Sequence, residues 1–117
     1  MQRLRNISVT LVLAAVIVGG GASTASAATI VRGRAMRWRP ATVTIARGGA
    51  VKWRAVDTHH TVRSYGTNWT YSAHLAAGAS TAPHRFRRRG TFRFYCTVHG
   101  SVSGGVCTGM CGKVVVG

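Results

Sequence analysis

The stretch from Phe92 to Val116, FRFYCTVHGSVSGGVCTGMCGKVVV, constrains this chain more than any other. Phe92 and Phe94 alternate with Arg93 and Tyr95, so Phe92, Phe94 and Cys96 share one face of a strand. A thiol therefore stands at the inner end of a core-facing row. His99 follows in a C-x-x-H spacing, then a Gly-rich loop through Gly109, then Met110 and a closing strand, Lys113 to Val116. Thiolate, imidazole and thioether on one segment form a soft donor set that suits copper far better than magnesium or calcium. A trigonal copper site of the blue type needs one Cys, two His and a weak axial Met. One histidine must come from elsewhere.

Asp57-Thr58-His59-His60-Thr61-Val62 supplies it. Side chains alternate faces along a strand, so His60 shares a face with Val62, and His59 shares the other with Thr61 and Arg63. Val62 faces a core, which selects His60 as the inward imidazole and leaves His59 as a surface residue. His74 falls in a stretch without periodicity and is expected in solvent. His84 lies on the same face as Phe86 and reads as a core or boundary histidine.

The ending C-x-x-H…G-M-x-G-x-V-x-V, from Cys96 to Val116, resembles the plastocyanin- and azurin-like cupredoxins, the small blue copper proteins. RWRPATVTIARGGAVKWRAVDTHHTV, from Arg37 to Val62, resembles the first half of the same family: a Pro-containing strand, G-x-x-V-x-W, then a histidine in an H-x-V pattern. The likeness spans nearly all of the chain after residue 27. It implies a Greek-key β-sandwich and one type 1 copper held by His60, Cys96, His99 and Met110. It also implies one-electron transfer, with His99 near the surface where electrons enter or leave. The chain departs from the family in the ten residues Gly100 to Gly109, which separate His99 from Met110, and in the cysteines that bracket Met110. With Cys96 on the metal, Cys107 and Cys111 are left to pair as a disulfide that cinches the loop; the alternative is that one of these thiols replaces Met110 as a ligand.

The rest of the chain is organised as short strands and turns with no helical stripe, hence an all-β sandwich. Ala28 to Arg39 reads as a first strand, at an edge or bend because of Pro40. Thr42 to Ile45 and Val51 to Ala55 flank the Arg47-Gly48-Gly49 turn and read as a hairpin. Tyr65 to Ser80 reads as a long crossover, and Thr81 to Arg89 as another strand anchored by Phe86.

Arg3 and Arg5, the apolar run Ile7 to Val18 and the Ala25-Ser26-Ala27 cleavage pattern make residues 1–27 a signal peptide, and 28–117 the copper-binding domain. The destination is then the periplasm, the cell envelope or the outside. The charge is extreme, with Lys+Arg 16 against Asp+Glu 1. Sixteen cations less Arg3 and Arg5, against the single acid Asp57, leave +13. For an exported protein this points away from nucleic acid, and towards acidic redox partners or an anionic envelope surface. With one carboxylate and no open metal position, catalysis is not expected. A monomeric electron carrier is the leading reading. A copper carrier delivering metal to an envelope oxidase, or a basic envelope-binding domain with an empty site, are the alternatives.

Overall fold

The computed structural model describes residues 27–117, so the expected signal peptide lies outside the described residues except for Ala27. Nine strands run in order: β1 Thr29–Arg34, β2 Arg37–Arg39, β3 Thr42–Ile45, β4 Ala50–Ala55, β5 His60–Tyr65, β6 Ser72–Leu75, β7 His84–Arg85, β8 Gly90–Ser103 and β9 Val106–Val116. They form two sheets, β2-β1-β4-β7 and β3-β9-β8-β5-β6, and the described residues contain no helix. The all-β Greek-key sandwich expected from the sequence is the architecture observed. β1 runs parallel to β4 and β3 parallel to β9, so both sheets are mixed.

Both inner faces meet in one core. Val31, Trp38, Val51, Trp53 and Ala55 come from the first sheet, and Val43, Val62, Leu75, Phe92, Phe94, Val114 and Val116 from the second. Trp53, wholly buried, packs edge-on against Phe94 with ring centroids 5.3 Å apart and lies 5.1 Å from Tyr71. Aromatic pairs of this kind contribute about 0.5–1.5 kcal/mol beyond the area they bury.

Five sequence expectations are corrected by this arrangement. Ala28 to Arg39 is not one strand but a hairpin of β1 and β2, turned at Ala35 and Met36 with φ of 52° and 57°. Two positive φ values in succession match the twist of a two-residue hairpin. The reason is parity. In a continuous strand Arg32 and Arg34 would face away from Arg37 and Arg39. The two-residue turn puts all four outside, and sends Trp38 into the core beside Val31 and Gly33.

β3 and β4 flank the Gly48-Gly49 turn but do not pair. β3 pairs with β9, and β4 with β1 and β7. Both strands present apolar residues to the same core from opposite sheets, so alternation alone could not separate the two geometries. Tyr65 to Ser80 contains β6, four residues paired with β5. Thr81 to Arg89 shrinks to the two residues of β7, although Phe86 is buried as expected and exchanges backbone hydrogen bonds with Gly48 and Gly49.

The largest revision concerns Gly100 to Gly109. It is not a loop but a paired ribbon, Gly100↔Gly109 to Ser103↔Val106, closed by Gly104 and Gly105 at positive φ. Glycine takes such φ values without steric cost, and a Gly-Gly pair between alternating residues is a hairpin signal.

Candidate metal centre

The site sits where the β8–β9 ladder breaks. Tyr95 pairs with Cys111, and pairing resumes at Gly100↔Gly109. The four residues Cys96 to His99 thus stand opposite Met110 alone. In a flat strand Cys96 and His99, three apart, would point to opposite faces. The bulge removes that constraint and turns both inward, bringing Cys96 Sγ and His99 Nδ1 to 3.6 Å.

β9 bends in the same place. Cys107 and Cys111 are joined by a disulfide across Cα atoms 6.1 Å apart, whereas a flat strand would separate them by about 13 Å. Gly109 at φ 85° supplies the bend. A Cβ at Gly100 would lie 2.9 Å from the Met110 nitrogen, so the two strands close on each other only because this residue is glycine. With both sulfurs in the disulfide, neither Cys107 nor Cys111 offers a thiolate.

His60 opens β5, buried, with Nδ1 3.8 Å from Cys96 Sγ; its neighbour His59 is exposed. The other ring nitrogen, Nε2, lies 3.0 Å from Asp57 Oδ1. Asp57 itself accepts the Ala35 N–H at 2.7 Å and the Thr58 N–H at 2.9 Å. The Ala35 amide first, and the His60 ring second, pull its carboxyl down to about 2, so it is ionised and can only accept. A neutral His60 therefore carries its proton on Nε2 and aims the Nδ1 lone pair at the sulfur. A carboxylate behind a ligating imidazole fixes tautomer and ring orientation.

Cys96 is fully buried. Burial alone would raise its thiol, but the Thr61 N–H, His60, the Val98 N–H and His99 together outweigh it and bring it down from 9.0 to about 6. The Thr61 N–H reaches the sulfur at 3.4 Å. Thr61 is held in turn through its hydroxyl, which accepts the Thr97 N–H at 2.7 Å. The sequence placed Thr61 on the outer side of β5, yet it is buried because this brace to β8 covers it.

Met110 is also fully buried. A Cβ at Gly33 would lie 2.8 Å from Trp38 Cζ3, 2.9 Å from His60 Cδ2 and 3.0 Å from the Met110 methyl. The bare backbone of β1 is thus one wall of the pocket, with the imidazole and the thioether against it. His99 is half-buried, its ring 5.0 Å from that of His60, and it lines an open cleft with Met36, Arg37, Trp38 and Arg39.

The ligand atoms of His60, Cys96 and His99 all lie within 4.8 Å of one another. Two imidazole nitrogens and a low-lying thiol, with a thioether in the same buried pocket, fit one type 1 copper. Zinc sites draw on Cys, His and carboxylate rather than thioether. Asp57, Gly33 and Thr61 were not assigned to the site from sequence. Asp57 had a signal in its isolation as the only acid, three residues before His60. Gly33 had none, because a glycine in an arginine-rich strand is silent about what approaches it.

No protein-family model and no curated protein sequence matches the chain. Solved structures do. A purple cupredoxin from Nitrosopumilus maritimus aligns at 20% identity with TM-score 0.61, covering 76% of this chain and 99% of that one. A reduced amicyanin variant aligns at 23% and 0.62, covering 82% and 88%. A copper-containing nitrite reductase from Thermus scotoductus aligns at 15% and 0.63, covering 78% of this chain but 22% of that one. The chain is a β-sandwich with a histidine–cysteine–histidine cluster at a break in its long hairpin. Its fold is that of the cupredoxins.

Proposed function

We propose that this protein is an exported, monomeric, single-copper electron carrier, with His60, Cys96, His99 and Met110 as the ligands of a type 1 site. One observation carries the reading: ligand atoms of His60, Cys96 and His99 converge within 4.8 Å at the break in the β8–β9 ladder, with the Nδ1 of each histidine facing Cys96 Sγ. His60, Cys96, His99 and Met110 would hold copper there, and the metal would supply one-electron redox chemistry, tuned by the thioether and by the hydrogen bonds to sulfur.

The chain's own residues prepare for this. The Thr61 N–H and the two imidazoles favour the thiolate of Cys96. Asp57 keeps the His60 lone pair turned inward. Gly33, Trp38 and Met110 close the pocket against water, so the donors are placed by the fold rather than gathered by the metal. His99, at the mouth of the cleft, is the side chain through which a partner meets the site. The strongly positive surface favours acidic redox partners. Removal of residues 1–27 delivers the domain to the periplasm, the envelope or the medium. Donors buried and braced in this way favour holding the metal over handing it on, which sets the carrier role below electron transfer.

The test is a visible and electron paramagnetic resonance spectrum after Cu(II) addition. An intense thiolate-to-copper band at one metal per chain is expected, lost in Cys96→Ser and cycling reversibly with a one-electron reductant. A colourless copper-loaded protein, or a band that survives in Cys96→Ser, overturns the proposal. Met110→Leu with unchanged spectrum and potential removes Met110 from the ligand set.

A further inference from the structure

The outer face of the β2-β1-β4-β7 sheet carries a lattice of cations. Parity along the strands turns Val31, Gly33, Trp38, Trp53 and Ala55 to the core, and Arg32, Arg34, Arg37, Arg39, Lys52 and Arg54 outward. The registers make these direct neighbours. Arg39, Arg32 and Arg54 form one row across three strands, Arg37 and Arg34 a second row, and Lys52 flanks Ile30 below. Neighbours across strands are about 5 Å apart, and rows about 7 Å apart. No carboxylate lies among them. The single acidic side chain, Asp57, is engaged with His60.

Like charges directly opposite in a sheet are destabilising. A charged edge strand guards against edge-to-edge pairing, which accounts for Arg37 and Arg39 on β2. It does not account for Arg32 and Arg34 on β1 or Arg54 on β4, which are interior strands. The other sheet shows that the fold does not require this. Its outer face has a single opposed pair of cations, Arg93 and Lys113, bounded in its row by Tyr65 and Thr42, with Arg63 opposite Tyr95.

We infer that this face is a docking surface for a linear phosphate polymer. Five of the six cations are arginines, whose planar fork matches phosphate oxygens two at a time. Rows two strands or more wide suit a chain of phosphates laid across the sheet, each neutralised by a neighbouring guanidinium. Surface-bound membrane proteins add aromatic or leucine-type anchors to their charge. This lattice carries one apolar side chain, the half-buried Ile30, and no aromatic one, and Met36 lies at the turn beyond it. The charge complementarity therefore favours a soluble polyanion over a lipid surface. The inference is independent of the copper reading, and the copper spectrum reports separately on that one.

The test uses the purified protein and inorganic polyphosphate, titrated at several salt concentrations. The triple variant Arg32→Gln/Arg39→Gln/Arg54→Gln should bind more weakly, with a log–log salt slope reduced by about 2 for three lost contacts. The matched variant Arg63→Gln/Arg93→Gln/Lys113→Gln, equal in charge, should keep the parent slope. Melting temperatures no lower than the parent's for both exclude unfolding as the cause. Equal weakening in the two triples, showing net charge alone at work, overturns the proposal. So does tighter binding to phosphatidylglycerol vesicles or to polyglutamate than to polyphosphate.

Discussion

Two histidines of this protein pack against aromatic rings, and only one of them joins a cluster of donor atoms. His60 lies 5.8 Å from Trp38, at the end of the sandwich where Gly33 pairs with Ala55. His84 lies at the other end of β4, opposite Val51, within 4.8 Å of Phe86, 5.0 Å of Tyr71 and 5.8 Å of Trp69 between centroids. His60 is buried and His84 is half-buried. Around His60 the second ring nitrogen has a carboxylate, and the first faces a thiol and another imidazole. Around His84 no side-chain hydrogen bond forms among the described residues, and burial holds its pKa below the ordinary 6.5. An imidazole packed among aromatic rings is thus not a ligand by virtue of that packing. What makes the difference is a partner on the far nitrogen and donors converging on the near one.

The sharpest way to break this contrast is to remove each ring in turn. His60→Ala should abolish the intense visible band of the copper-loaded protein, while His84→Ala and His59→Ala should keep it. Loss of the band in His84→Ala with the fold intact would place that histidine in the site after all.

The next effect is that of the carboxylate. Asp57→Asn keeps the shape but replaces an obligate acceptor with an amide that can also donate. Loss of such a partner behind a metal-binding histidine lowers metal affinity by about 10–100-fold. A competition titration against a chelator of known affinity measures it. An affinity unchanged within twofold would mean that Asp57 serves only to fasten the Ala35 turn.

Much of the site was legible in the sequence because its rules are local. The parity of His60 with Val62 and of Cys96 with Phe92 and Phe94 fixed which side chains face inward, and burial agrees for all five. The nonlocal parts were not legible. Whether strands beside Gly48 pair with each other or with distant partners depends on which sheet each joins, and alternation is identical in both cases. That Cys96 and His99 share a side depends on a four-against-one bulge, which the spacing C-x-x-H does not reveal without its partner strand. Gly100 to Gly109 read as a loop because glycines obscure alternation, yet Ser101, Val102 and Ser103 mirror Val106, Cys107 and Thr108 across the Gly104-Gly105 turn.

Gly33 offers a graded test of how tightly the site end is closed. Its missing Cβ leaves the space that Trp38, His60 and Met110 share. Gly33→Ala should cost about 1–3 kcal/mol of stability by overpacking. It should also shift the copper band, since the ring and the thioether must move. A denaturant midpoint and a spectrum from the same preparation separate the two consequences. A variant as stable as the parent, with an identical spectrum, would mean the wall yields without displacing either donor.

The smallest effect belongs to the aromatic end and runs through pH. Unfolded, His84 titrates near 6.5; folded, its burial among Trp69, Tyr71 and Phe86 lowers the value, with the exposed Arg85 its adjacent cation. Above 6.5 both states are neutral at this ring, and its contribution is fully present. As pH falls through 6.5 the unfolded chain takes up the proton first, so stability declines until the folded ring is protonated as well. His60 and His99 also lie in the protein, so the informative quantity is the difference between the parent and His84→Gln. The parent should lose more stability between pH 7 and pH 5 than the variant does. Parallel curves would mean that the aromatic rings tolerate the imidazolium, through cation–π attraction that balances its desolvation, and the two histidine environments would then differ only in what they can ligate.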